Sequence, residues 1–401
     1  MAETRSRISH DAGFWVVAVC FTLVMAYSTV PTPLYPLYQQ QDGFPVSVVT
    51  VVFAAYAVGV VFSLFFVGHL SDGVGRRRML VIAVLVSALS AVLFLVWSSV
   101  PGLILARLVN GVSIGALTAT ATAHLGELRS RARPNENAVV AASVSGAANL
   151  GGLALGPLIG GLFAEFLPAP LVLPHVVFLV LLLAAALVLT AVPETVDVPA
   201  ERPAYRPQRL AAPPSSRSAF VAAGFAAFAG FSLFGLFTSL APTFLVGTFD
   251  QPDHLAAGAT AFSVFAAAAA GQVVFARVRL RVQLTVAVTC CAVGLVGVAL
   301  GAVLPQLAVF LVGGVVAGVG VGLLFRASIA TASGLAAPGR RGETLALVFL
   351  VAYCGLALPV LAVGLFLLFI PQTTVLLVFS ALVLIATVSA GLVMRARAST
   401  P

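Results

Sequence analysis

Arginine is the residue type best placed to do chemistry in this chain. All 21 basic residues are Arg, and two of them, Arg107 and Arg326, sit inside long apolar runs. A guanidinium stays charged under all ordinary conditions, so one placed in hydrocarbon must face a bundle interior and find a partner. Arg107 belongs to an Arg107-x-x-Asn110-Gly111 pattern, about two helical turns from the outer end of its run at 1.5 Å per residue. Its alternatives are to snorkel outward or to brace backbone carbonyls. Arg326 lies about two turns from an inner end, where snorkelling to the interface is an equal alternative.

The acids tell the opposite story. All thirteen, Asp72, Glu127 and Glu165 among them, fall in loops or at the ends of apolar runs, so no carboxylate is expected at depth. A coupled proton would then ride on His124, Glu127, Glu165, Asp72 or the substrate itself. Cys20, Cys290, Cys291 and Cys354 lie in apolar runs without metal-ligand spacing, which reads as packed thiols. No metal and no cofactor are expected. No nucleophile elbow, paired intramembrane carboxylates or His-x-x-x-His helix is present, so an enzyme is not expected.

Uncharged polar and aromatic residues at depth complete the candidates for a substrate cavity: Tyr27, Tyr35, Asn149, Phe231, Phe234 and Gln272, with Arg326. Phe231, Phe234 and Thr238 follow the i, i+3, i+7 spacing of one helix face. Any single phenylalanine could equally face lipid. Pro31, Pro33 and Pro36 must bend or unwind the outer end of the first run.

The elements that carry these residues follow from composition. Hydrophobic residues make up 61% of the chain and charged residues 8%, against roughly 25% charged in a soluble domain. This is an all-α integral membrane protein. Apolar runs of spanning length begin near Gly13, Val46, Met79, Pro101, Asn137, Pro170, Ala219, Leu255, Val282, Gln306, Glu343 and Thr373, giving twelve expected transmembrane helices. The runs are continuous rather than alternating, which disfavours a β-barrel.

The net charge of +8 is a topology signal rather than a sign of nucleic acid, because the arginines outside the runs fall in clusters at alternate connections. Those connections and both termini are expected to be cytoplasmic. A Pro- and Arg-rich linker over 193–217 divides the chain into six-helix bundles over 1–192 and 218–401. A worn internal repeat supports the division: Gly152-Leu153-Ala154-Leu155 matches Gly355-Leu356-Ala357-Leu358, and Pro31-Thr32 matches Pro242-Thr243. Two parallel-repeat bundles are a transporter architecture with the substrate path between them.

Ala148, Gly152, Gly156, Gly160 and Ala164 are four apart in the fifth run. They form a stripe where another backbone can approach, and Pro157 permits a bend. Gly161 follows the stripe. The corresponding stretch of the eleventh run reads Pro359-Val360-Leu361-Ala362-Val363, so the bundles are not equivalent.

The connection between the second and third runs, Gly68-His69-Leu70-Ser71-Asp72-Gly73-Val74-Gly75-Arg76-Arg77-Arg78, resembles the loop signature of the major facilitator superfamily, Gly-x-Leu-(Ala/Ser)-Asp-(Arg/Lys)-x-Gly-Arg-(Arg/Lys). Gly73 stands where that pattern has a base. The resemblance spans all twelve runs and implies alternating access with this loop as a latch between bundles. It implies a coupling role for Arg107, and Glu127 could compete for the loop's arginines. The run-five glycines Gly152, Gly156, Gly160 and Gly161 with Pro157 resemble the antiporter signature of the drug-efflux branch, implying export. The expected protein is a monomeric, proton-coupled exporter of a small apolar or amphipathic compound, neutral or anionic, in a bacterial plasma membrane. The alternative is metabolite uptake or facilitated diffusion without proton coupling. A latch at Asp72 predicts that Asp72→Asn shifts the population toward the inward-open state. Cysteine accessibility measured on the two faces checks this, and unchanged accessibility would count against the latch.

Overall fold

The computed structural model describes residues 8–67, 70–196, 217–337 and 340–397. Gly68 of the loop signature and most of the expected linker lie outside them, and Asp72 and Arg341 are described by their backbone alone.

Every regular element among the described residues is helical. The first apolar run becomes α1 (His10–Thr29), a 3₁₀ turn at Thr32–Leu34 and α2 (Tyr35–Asp42). Prolines at 31, 33 and 36 explain the break, since each withholds a backbone donor from the ladder. The seventh run breaks in the same way, into α9 (Arg217–Ser239) and α10 (Ala241–Phe249), next to Pro242. Thus the weak Pro-Thr sequence match corresponds to the same local geometry in both halves.

Between them lie α3 (Val46–Phe66), α4 (Ser71–Val74), α5 (Arg76–Val96), α6 (Val100–Ala132), α7 (Val139–Phe166) and α8 (Leu173–Leu189). After α10 come α11 (His254–Val274), α12 (Leu280–Val303), α13 (Leu307–Leu335), α14 (Arg341–Phe366) and α15 (Gln372–Arg397). Eleven of the spans among the described residues are long and apolar enough to cross a membrane, counting α1 to α2 as one. The twelfth expected span, α8, is apolar but only 17 residues long.

Within the first half, α6 packs on α3, α5 and α1, while α8 packs on α5. In the second half α12 packs on α13 and α15, and α9 on α14, α13 and α15. The halves meet along two helix pairs, α7 with α11 and α3 with α14.

Both pairs close tightly at the end away from the arginine clusters. A Cβ at Gly258 in α11 would overlap the carbonyl oxygen of Pro157 in α7, and one at Gly161 would lie 2.7 Å from the carbonyl oxygen of His254. On the opposite side, a Cβ at Gly364 in α14 would overlap Thr50 of α3. The three glycines of the run-five stripe face α1: Cβ atoms at Gly152, Gly156 and Gly160 would strike Met25, Ala26 and Val30. One helix, α7, therefore uses glycines on two faces, one to hold its own half together and one to seal against the other half. Gly258→Val should wedge that seal open. With native cysteines replaced and Thr50→Cys as reporter, an impermeant maleimide should label the Val variant faster than the parent.

Candidate functional site

A cavity of about 120 Å³ lies between the halves. From the first half it is lined by Thr29, Phe53, Tyr56, Arg107, Thr118 and Asn149, with backbone at Gly146 and apolar flanks at Leu150 and Leu153. The second half supplies Phe231, Phe234 and Thr238 of α9, Phe265 and Gln272 of α11, and Phe325, Phe349, Tyr353 and Leu356. Charge comes from one half and most of the ring surface from the other.

Arg107 is 1% exposed. Its guanidinium donates to the carbonyl oxygen of Ser28 at 2.6 Å and lies over the Tyr56 ring at 4.5 Å and the Phe53 ring at 5.8 Å. These are the partners a cation finds without an acid: a backbone dipole and two ring faces. No ion pair to Arg107 occurs among the described residues, and its Nε makes no hydrogen bond. A buried, uncompensated cation is costly, which makes this end of the cavity receptive to negative charge.

The rings form a connected wall. Phe234 stacks on Phe265 at 4.4 Å, and Phe231 contacts Phe325 at 4.9 Å and Tyr353 at 5.5 Å. Tyr353 in turn meets Tyr56 at 6.4 Å. This last contact crosses between halves and ends under the guanidinium, so Arg107, Tyr56, Tyr353 and Phe231 make one continuous path from α6 to α9.

Asn149, Phe231, Phe234, Gln272 and Arg107 thus come together at one place. Three other candidate residues do not line the cavity. Arg326 turns its guanidinium onto the carbonyl oxygens of Gln272 at 3.2 Å and Ala276 at 2.9 Å, satisfying acceptors at the end of α11 that have no helical donor. Tyr35 sits in the apolar cluster outside it. Tyr27 is fully buried against α8, where its hydroxyl meets Nδ1 of His175 at 3.1 Å.

Sequence reasoning passed over His175 itself. The ring is fully buried, its Nε2 is 3.2 Å from the Tyr38 hydroxyl, and it stacks on Phe94 at 4.5 Å with an 8° interplanar angle. It ties Tyr27 before the proline break to Tyr38 after it. Tyr56 and Tyr353 were also overlooked; their signal is a hydroxyl in mid-run in a chain with six tyrosines. The added phenylalanines carried none, since 28 are scattered through the apolar runs.

At the arginine-rich end, Arg76 bonds Glu127 at 3.1 Å and the Ser71 hydroxyl at 2.6 Å. Gly75 has φ 102°, a conformation that favours glycine and lets α4 turn directly into α5. Glu194 accepts from the backbone N–H groups of Arg76 at 2.9 Å and Arg77 at 3.1 Å, the free donors and positive end of α5. Arg78 is exposed. Arg131 donates to the carbonyl oxygens of Glu194 and Thr195, whose hydroxyl donates to Glu127. The expected linker therefore starts as a bound segment, Pro193 to Val196, rather than a free one. Arg129 bonds Asp11 at 2.9 Å and pairs with Glu136, and its hydrogen bond holds the Glu136 carboxyl below the ordinary carboxylate range. His124 is also fully buried.

The profile of the Major Facilitator Superfamily matches residues 16–359. The chain belongs to that superfamily. This superfamily member is a multi-pass membrane transporter. No curated protein sequence is significantly similar to it. Among solved structures, the human organic anion transporter MFSD10 (TETRAN) is similar in fold, with a TM-score of 0.68 over 94% of this chain and 98% of that one at 17% identity. The His175 clamp predicts that His175→Ala, which strands two buried tyrosine hydroxyls, costs roughly 2 kcal/mol or more. A thermal melt of the purified protein should show a lower midpoint than wild type, with Phe in place of His also destabilising.

Proposed function

We propose that the chain is a twelve-span secondary transporter that exports a small amphipathic compound, neutral or anionic, by alternating access driven by the proton gradient. The arginine-rich end is cytoplasmic, as its excess of positive charge favours, and the plasma membrane is its site. The observation that carries this reading is Arg107: a buried cation without an acid partner, facing a ring-lined cavity between two halves whose far end is closed by glycine contacts. A desolvated cationic substrate would want a carboxylate there. MFSD10, which shares the fold, is an organic anion transporter, and an anion is the charge class that suits Arg107. The loop arginines Arg76, Arg77 and Arg78 belong to the latch of this reading, with Glu127 competing for them through its contact with Arg76.

Among the residues whose side chains are described no Asp or Glu is buried. A coupled proton is then carried at His124 or Glu127, or on the substrate. The same observation favours a second reading, uncoupled movement of a metabolite, in which the missing carboxylate reflects missing coupling. Flux into proteoliposomes with and without an imposed pH gradient separates the two, since only coupled export responds to the gradient. For the site itself, Arg107→Ala and Arg107→Lys should each lower transport by at least about tenfold, the Lys variant because a point charge cannot hold the Ser28 carbonyl and lie over the Tyr56 ring at once. Wild-type rates in both variants would remove Arg107 from the mechanism.

A further inference from the structure

Resting on the transport reading of this cavity, we infer that its ligand is a monoanion built on a single aromatic ring, held with the anionic group on Arg107 and the ring among the phenylalanines of the second half. Three observations lead there. The first is charge. Arg107 Nε is buried with no acceptor among the described residues, and the guanidinium leans on the Ser28 carbonyl oxygen rather than on an acid. Leaving a buried charged donor unmatched is expensive, so a carboxylate or similar anion gains a charge-assisted hydrogen bond and relieves that cost at once. A neutral acceptor fills the free donor but leaves the buried charge unbalanced.

The second is the count of charges. Among the described residues Arg107 is the single charged one lining the cavity. A dianion would leave its second charge desolvated against Phe231, Phe234, Phe265 and Phe325 with no counter-charge, and a cation would meet Arg107 itself. One negative charge is the number that balances.

The third is size and surface. The cavity of about 120 Å³ is of the class of the ~150 Å³ apolar cavity that accepts one benzene. The Phe234–Phe265 stack and the Phe231–Phe325–Tyr353 cluster present faces and edges to anything that enters, and a flat ring gains from both. Such a ligand touches both halves, its charge on α6 and its ring on α9, α11 and α13. It therefore strengthens contact between the halves on binding, while an aliphatic acid of the same charge would use only one of them.

The test uses three near-isosteres, benzoate, benzamide and benzylamine, with propionate as the ringless anion, on the purified full-length chain. Each is titrated in a thermal-shift assay with calorimetric affinities alongside, because a ligand that binds the folded state raises its apparent stability. Benzoate should bind at least about tenfold more tightly than benzamide, benzylamine and propionate, the size of one charge-assisted contact to a buried group. In Arg107→Gln the advantage of benzoate over benzamide should vanish, while Phe234→Ala should weaken benzoate and benzamide together. If the Gln variant does not fold, the ranking in the wild-type protein still decides. Benzamide binding as well as benzoate, propionate matching benzoate, an advantage that survives Arg107→Gln, or no binding by benzoate would each overturn the assignment. Cysteine accessibility at the two ends, followed in the same protein, judges the transport reading separately. Alternating accessibility with no benzoate preference removes the ligand class alone, and accessibility that never alternates removes the transport reading.

Discussion

A guanidinium buried without an acid is the constraint around which the middle of this protein is arranged. Arg107 cannot lose its proton, so the structure surrounds it with weaker substitutes for a counter-charge: the Ser28 carbonyl and the faces of Tyr56 and Phe53. Each substitute comes from an element that had to be brought close. Ser28 lies at the end of α1, just before the prolines interrupt it, and the two rings lie on α3. The packing of α6 against both helices is therefore also the means by which a charge is tolerated at depth.

Close backbone approach makes that arrangement possible. The glycine stripe of α7 draws α1 in, and Gly161 with Gly258 draws α11 against α7. On the other flank Gly364 lets α14 meet Thr50. With both cross-half pairs tight at the arginine-poor end, what remains between the halves is a small chamber with the cation on one wall and rings on the other. At the opposite end Arg76 with Glu127, and Glu194 on the start of α5, tie the first half together internally. Steric closure between the halves at the arginine-poor end suits a molecule that rocks between two states, which is the basis of the proposed function.

Much of this was legible in the sequence because certain residues have few physical options. Prolines at 31, 33 and 36 had to break a helix and four-residue glycine spacing had to mean a close neighbour, whereas Arg107 could face the cavity or brace backbone carbonyls and does both. The repeated Pro-Thr pair marked the same break in α9 and α10. What stayed hidden depends on which helices are neighbours in space. Arg326 is as conspicuous as Arg107, yet its partners are carbonyls at the end of α11, and carbonyls leave no trace in a sequence. Glu194 looked like a loop acid because the helix start that it caps lies more than a hundred residues earlier in the chain. His175 shows only as a polar residue in the shortest run, since the tyrosines it joins flank a break whose geometry only folding defines. Asp72, around which the latch expectation turns, is described by its backbone alone.

The most direct test of an anion seat at Arg107 is the position of a heavy-atom analogue in the cavity. Crystals of the full chain grown with 4-bromobenzoate would locate the bromine by its anomalous signal and the carboxylate by ordinary density. The carboxylate is expected on Arg107 and the bromine against the Phe231 and Phe325 rings. A carboxylate seated away from Arg107, or bromine signal only on the lipid-facing surface, would contradict that assignment.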